Sequence, residues 1–421
     1  MSNLVVIGQG YVGLPMALRA AEAGHSVIGL DLNEGVVSQL NAGTSHIDDV
    51  TNDDLARGMA AGYTATLDPA VISNAEVVVV CVPTPLSEDG GPDLRAVEAT
   101  GRVIGEHVRT GTLCILESTT YPGTTEEVFA PLVAKGGQEL GKELFVAFSP
   151  ERIDPGNQTY GVKNTPKVVG GLTTACTKKA AEFYASFIDT VISAKGAKEA
   201  EMAKLLENTF RHVNIALVNE MVRFSQDLDI DLWDAIDAAE TKPFGYMAFR
   251  PGPGVGGHCI PVDPSYLSHR VKAKLGYAFR MVELAEEINH AAPRYVCERA
   301  RDLLNDKRIA VRGSKILLVG VSYKANISDV RESPAIPIAN TLEGWGAELS
   351  YFDPNVASWS STRSSEKVSQ LDQLDQRLAE FDLVILLQAH SEVDPEVITN
   401  GATMILDTRA VLPRNPKITR L

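Results

Sequence analysis

The chain has 421 residues, enough for about two to three domains, and its 44% hydrophobic and 22% charged residues are those of a globular protein with ample core. Its 54 acidic against 39 basic side chains give a formal charge of −15, which argues against nucleic-acid and anionic-membrane partners. Any anionic ligand has to be met by a local cluster of cations.

The five cysteines, Cys81, Cys114, Cys176, Cys259 and Cys297, are scattered and form no C-x-x-C pair. A zinc site and a disulfide framework are therefore not expected, and the reducing cytoplasm is the expected compartment. No apolar run approaches the roughly 18 residues that a membrane span needs. The first one, LVVIG from Leu4, has no signal-peptide pattern before it.

Short apolar runs alternate with helical periodicity through the first half. LVVIG (4–8), SVIGLDL (26–32), EVVVVCV (76–82), TLCILES (112–118) and ELFVAFS (143–149) read as buried parallel strands, with helical stretches such as 13–24 between them. This is a βαβ pattern with right-handed crossovers. From Lys198 to Leu228 the period changes. Met202, Leu206, Phe210, Val213, Leu217, Met221 and Phe224 recur at spacings of three and four, which predicts a long amphipathic helix. Its apolar stripe suits a dimer surface or the chain's own core. A second helical region spans about Arg280 to Leu304, with Pro293 expected to kink or divide it. KILLVGVSY (315–323), ELSYFD (348–353), LVILLQ (383–388) and TMILDT (403–408) open a second α/β unit, and the Ser- and Gln-rich 356–373 reads as a surface excursion. The expected fold class is α/β: two Rossmann-like doubly wound domains joined by a central helical region. The expected boundaries are 1–197, 198–305 and 306–421.

The first strand runs into GQGYVG, a G-x-G-x-x-G turn. Gly8 permits the tight turn, Gly10 lets backbone amides approach a pyrophosphate, and Gly13 lets the helix pack close to the strand. Asp31 ends the second strand near the distance at which an acid meets a ribose 2′-hydroxyl and repels a 2′-phosphate, so NAD is expected over NADP. VPTP (82–85) follows the third apolar run, at the sheet edge where such folds bind ligands.

Six motifs then fall in order: GQGYVGLP, ESTTYPGTT (117–125), SPERIDPGN (149–157), KLLENTF (204–210), PGPGVGGHCIPVDP (251–264) and GVSYKANISDVRESP (320–334). Together they resemble the UDP-glucose/GDP-mannose dehydrogenase family over nearly the whole chain. The resemblance implies an NAD-binding domain, a central helical dimer region and a domain that binds a nucleotide sugar. It also implies oxidation of a sugar C6 alcohol to a carboxylate with two NAD⁺.

The residues fit that chemistry. A thiolate adds to an aldehyde, loss of a hydride makes a thioester, and water releases the acid. Cys259, in its glycine-rich loop, is the expected nucleophile. The resemblance implies that Asp263 orients or activates water. It implies that Lys204 and Asn208, one helical turn apart, stabilise an alkoxide or oxyanion. It implies further that Thr119 holds a catalytic water and that Glu151 serves acid–base steps. The implied cofactor set is Gly8, Gly10, Tyr11, Val12, Gly13, Asp31, Pro83, Thr84, Ser118, Thr119 and Arg331. The implied substrate set is Glu151, Arg152, Lys204, Asn208, Arg250, Gly256, Lys324 and Arg409. No metal is expected, and His258 is given no role.

The glucose-oxidising branch usually has a second glutamate four residues after Glu151, where this chain has Pro155. SPERIDPGN with GPGVGGHCIPVDP is more similar to the branch acting on UDP-N-acetylhexosamines, UDP-N-acetylglucosamine in particular. UDP-glucose, TDP-glucose and UDP-N-acetylmannosamine are the alternatives within the class. A 3-hydroxyacyl or 2-hydroxy acid dehydrogenase would share the Rossmann half but has no use for Cys259. A catalytically silent nucleotide sensor need not keep Cys259, Lys204 and Asp263 together.

Overall fold

The computed structural model describes residues 1–87, 91–154, 157, 159–257, 259–361, 369–371 and 374–421; the side chains of Cys259 and Ser369 lie outside the description. The chain divides into two compact units: Met1–Glu207 with Ser265–Gly276, and Asn208–Pro264 with Tyr277–Leu421.

The first unit is built on eight strands: β1 (Asn3–Ile7), β2 (Ser26–Leu30), β3 (Thr64–Thr66), β4 (Val77–Val80), β5 (Leu113–Leu116), β6 (Phe145–Phe148), β7 (Lys167–Gly171) and β8 (Val191–Ser193). They lie in the order β3-β2-β1-β4-β5-β6-β7-β8. The first six are parallel, β7 runs antiparallel to β6, and β8 is parallel to β7. Side-chain alternation explains the double winding. Leu4 and Val6 of β1 join one buried core, Val5 and Ile7 the core on the other face.

The second unit repeats the plan with six parallel strands: β9 (Lys315–Val319), β10 (Glu348–Phe352), β11 (Ser369–Gln370), β12 (Leu383–Leu386), β13 (Ile405–Asp407) and β14 (Ile418–Arg420). Their order is β11-β10-β9-β12-β13-β14. Ile316 and Leu318 face one core, Leu317 and Val319 the other. Both sheets reverse their order beside their first strand, β1 against β4 and β9 against β12. In such folds the crevice at that reversal, at the carboxyl ends of the strands, holds the ligand.

The period-3.6 stretch is the helix Ala197–Asp227, which begins in the first unit and ends in the second. Its apolar stripe faces solvent: Leu206 is 62% exposed, Leu217 53% and Phe224 47%. Its buried residues include Glu201, Lys204, Asn208, His212, Asn219 and Ser225. Pro293 does not divide the second long helix, which runs Arg280–Asp306 with the proline inside it. The surface excursion is corrected in part. Val356, Trp359 and Leu371 are buried, and Ser369–Gln370 pairs with β10, because apolar residues interrupt the polar composition.

Candidate active site

In the first unit, Gly8 follows β1 with φ +90, and a Cβ there would lie 2.4 Å from the Cys81 carbonyl oxygen. A Cβ on Gly13 would lie 1.8 Å from the Gly8 carbonyl oxygen, while one on Gly10 would meet nothing within 4 Å. Two glycines are thus required by packing, and the third leaves open space for a pyrophosphate beside the helix Gly13–Glu22, whose N-cap is Val12. Tyr11 is half-buried. Asp31 accepts from the Gln9 amide at 2.8 Å and the Asn33 amide at 2.9 Å, which fixes the acid against the turn. These residues fit NAD.

At the same sheet edge, Thr84 donates to the Thr119 carbonyl at 2.8 Å and Ser118 to the Val82 carbonyl at 2.7 Å, tying the VPTP and S-T segments together. Pro83 is exposed and Thr119 half-buried. Glu201 anchors the following turn. Buried on the long helix, it accepts from the Gly123 amide at 2.6 Å, the Thr125 amide at 2.8 Å and the Thr125 hydroxyl at 2.7 Å. Burial pushes its carboxyl up from the usual range. Sequence reasoning did not single it out.

Glu151 lies just beyond β6, 9% exposed. Its carboxylate accepts from the Ile153 amide, and its carbonyl accepts from the Lys204 ammonium at 2.5 Å. Arg152 donates to the Pro166 carbonyl at 2.6 Å and pairs with Glu207 at 2.8 Å. Glu151 joins a buried chain of Lys167, Glu117 and Tyr184, to none of which the motifs gave a role, although Glu117 opens ESTTYPGTT. The Lys167 ammonium is 3.0 Å from Glu117 Oε1 and 3.7 Å from Glu151 Oε2, and Tyr184 donates to Glu117. Burial, then Glu151, push the Glu117 carboxyl up against the opposing pull of Lys167. Burial opposes the charge on Lys167, yet its two carboxylates hold the ammonium above its usual value. The available signal was a lysine opening an otherwise apolar strand.

The second unit echoes the first. Gly320 follows β9 with φ +78, its Cβ position 2.5 Å from the Gln388 carbonyl oxygen beyond β12. Asp353 follows β10 and accepts from the Val321 amide at 2.8 Å, as Asp31 accepts from Gln9. Buried His390 lies 3.1 Å from Asp353 Oδ2 through Nε2, while its Nδ1 accepts from the Asn326 amide at 3.0 Å. This pins the loop that carries Lys324 and Arg331. A repeat of strand, glycine and acid was visible in LLVG…YFD and LVVIG…GLD.

The glycine-rich loop is wedged against that segment. A Cβ on Gly256 would lie 2.7 Å from Tyr323 Cβ and 2.8 Å from the Glu332 carbonyl oxygen. Gly257, φ +82, donates to the Arg331 carbonyl at 3.1 Å. Gly252 donates to Asn219 at 3.0 Å and packs on Arg409, which donates to the Leu387 carbonyl at 2.8 Å. Burial lowers the Arg409 guanidinium to about 10.

The loop ends earlier than its composition suggests. Cys259 is the first residue of the helix Cys259–Leu275. Pro261 is accommodated because amides of a first helical turn need no intrahelical partner. Asp263 is buried in that helix, and Asn208 Nδ2 donates to its Oδ2 at 2.5 Å. The Cys259 side chain, Pro155 and His258 lie outside the described residues. Lys324 is half-buried. Arg331 is exposed and pairs with Asp329 at 2.6 Å. Arg250, half-exposed, pairs with Asp237 at 2.8 Å and Glu240 at 2.9 Å.

Two doubly wound sheets, the first parallel from β3 through to β6 and entered through a dinucleotide turn, give a dinucleotide-binding unit and a second unit of nucleotide-binding type. The chain belongs to the UDP-glucose/GDP-mannose dehydrogenase family: the NAD-binding domain matches residues 2–188, the central domain 198–291 and the UDP-binding domain 317–414. It is an NAD-dependent UDP-sugar dehydrogenase, an oxidoreductase that acts at C6 of a nucleotide sugar. It is 33% identical over 426 residues to a UDP-N-acetyl-D-mannosamine dehydrogenase of Methanocaldococcus jannaschii, covering 98% of this chain and 93% of that one. It is 33% identical over 393 residues to a UDP-N-acetyl-D-glucosamine 6-dehydrogenase of Pseudomonas aeruginosa, covering 93% and 91%. The solved UDP-D-ManNAc dehydrogenase of Pyrococcus horikoshii superposes with a TM-score of 0.89 at 30% identity, over 99% of this chain and 98% of that one. No helix among the described residues is long and apolar enough to cross a membrane.

Proposed function

We propose that the chain oxidises the C6 alcohol of a UDP-N-acetylhexosamine to the uronic acid through a thiohemiacetal and a thioester on Cys259. The observation that carries this is the glycine-rich loop leading to a cysteine at the first residue of the helix Cys259–Leu275. Bound NAD⁺ supplies a hydride acceptor for each of the two oxidations. The cysteine sulfur adds to the C6 aldehyde carbon, the thiohemiacetal is oxidised to the thioester, and water displaces the sulfur to give the acid. Lys204 and Asn208 meet the negative charge on the C6 oxygen. Asp263 activates the hydrolytic water, with Thr119 and Glu151 holding water and protons. Lys324 and Arg409 meet the nucleotide's phosphates.

The sequence favours the N-acetylglucosamine epimer, whereas the similar proteins are named for N-acetylmannosamine more often. The two differ only at C2, and the mannosamine compound is the first to test. UDP-glucose and TDP-glucose rank below both. The solvent-facing stripe of Ala197–Asp227 supports a homodimer. Cys81, Cys114, Cys176 and Cys297, all free thiols, support a cytoplasmic setting. The test is kcat/KM across a panel of the four nucleotide sugars. A UDP-N-acetylhexosamine is expected to lead by at least about tenfold, the scale set by one well-made polar contact. Preference for a glucose nucleotide, or tight binding without turnover of any, would overturn the proposal.

A further inference from the structure

In the first unit a lysine is buried between two carboxylates. Lys167 is 7% exposed, Glu117 1% and Glu151 9%. The ammonium is 3.0 Å from Glu117 and 3.7 Å from Glu151. Its carboxylates come from different elements, the segment after β5 and the segment after β6, and the lysine itself opens β7. Tyr184, from the helix Thr174–Ala185, donates to Glu117 Oε1. Cys81, after β4, faces the same group, and burial raises both its thiol and the Tyr184 phenol. Neither therefore adds charge near neutrality. Lys204 approaches from the long helix, but its ammonium donates to the Glu151 carbonyl, not the carboxylate.

One ammonium thus serves two carboxylates. Two buried carboxylates this close to one cation are strongly interdependent, because removing a buried cation leaves uncompensated charge. Glu117 is the deeper of the two, and its Oε2 has no partner among the described residues. No chemistry is assigned to it.

We propose that Lys167 is a positioning residue for the oxidation, holding the Glu151 carboxylate in place and balancing its charge against the buried Glu117. This rests on the reading that Glu151 serves the acid–base steps. Lys167 acts through Glu151, and Glu117 competes for the same ammonium. Loss of the lysine removes the one cation between the two carboxylates, while Glu117→Gln leaves the ammonium to Glu151 alone.

The experiment is the pH profile of kcat/KM for the full-length enzyme and for Glu151→Gln, Lys167→Met, Lys167→Arg, Glu117→Gln and the Glu117→Gln/Lys167→Met double variant. Glu151→Gln is expected to lose the acid limb together with most of the rate. A Glu151→Gln enzyme with the unaltered limb and rate would refute the reading of Glu151 itself. Given that loss, Lys167→Met is expected to move the limb upward by about 1–3 pH units, the effect of a missing neighbouring charge. Its deficit is then largest at acid pH and shrinks as pH rises. Lys167→Arg keeps the limb, Glu117→Gln moves it down, and the double variant returns it toward its original place. The double variant and Glu117→Gln bury no unpaired carboxylate of Glu117, so they answer the question even if Lys167→Met does not fold. A uniform loss in Lys167→Met at every pH, or a limb that ignores the charge at Glu117, would overturn the proposal.

Discussion

Asn208 Nδ2 donates to Asp263 Oδ2 at 2.5 Å across 55 residues of sequence, with the two side chains 5% and 1% exposed. The bond joins the long helix to the helix that Cys259 opens. A carboxylate held this way is aimed, and its charge is little diluted by water. Asp263→Asn keeps the shape and removes the charge. We expect kcat to fall about 10²–10⁴-fold, the range for a positioned base. NAD affinity should stay within a few-fold of wild type. Steady-state kinetics with calorimetric NAD titration checks this, and a variant keeping a tenth of the rate would exclude the role.

The glycine turn predicts a contrast. A methyl group at Gly10 meets nothing within 4 Å, whereas one at Gly13 would sit 1.8 Å from a backbone oxygen. Gly10→Ala should fold with an unchanged melting temperature and bind NAD more weakly. Gly13→Ala should be destabilised by about 1–3 kcal/mol or more, the cost of overpacking. Thermal melts with and without NAD separate the two effects.

Much of the architecture is legible in the sequence because parallel strands are buried on both faces. VVVV at 77–80 and LLV at 317–319 can only be interior. The strands that escaped notice, such as TAT (64–66) and VIS (191–193), are three-residue edge strands with exposed positions. The long helix shows the deeper limit. Its apolar spacing predicts a helix but not which face is covered, and the buried face carries Glu201, Lys204 and Asn208. The pairing of Glu117, the first residue of ESTTYPGTT, with Lys167 was invisible for a related reason. Fifty residues separate them, and only the sheet order, β5 beside β6 beside β7, brings them together.

His212 gives the fold a dependence on pH. It is buried, and burial, then the nearby His290, lowers its pKa from the ordinary 6.5 to about 4. Its carbonyl accepts from Asn289, which pairs with Asn219, which in turn holds Gly252. The native state takes up the proton less readily than the unfolded chain. The stabilising contribution is therefore complete above pH 6.5 and is lost as pH falls toward and through 4. Melting temperatures between pH 7.5 and 4.5 should drop more steeply for wild type than for His212→Gln. Parallel slopes would contradict this assignment.

An exposed row of Leu206, Phe210, Leu217 and Phe224 along one helix is unlike the scattered apolar residues of an ordinary surface. Leu217→Glu/Phe224→Glu should turn a dimer into a monomer in sedimentation at micromolar concentration. A wild-type monomer under those conditions would contradict the proposed dimer.

The proposed chemistry depends on covalent catalysis by one sulfur, that of Cys259. The most direct measurement is NADH formed per enzyme-bound sugar in a single turnover, followed by mass analysis of the protein, for wild type and Cys259→Ser. Two NADH and free acid are expected from the wild type. Cys259→Ser is expected to form no acid and still to bind NAD. One NADH from the wild type, or a serine variant that still delivers two and releases acid at the normal rate, would contradict this chemistry.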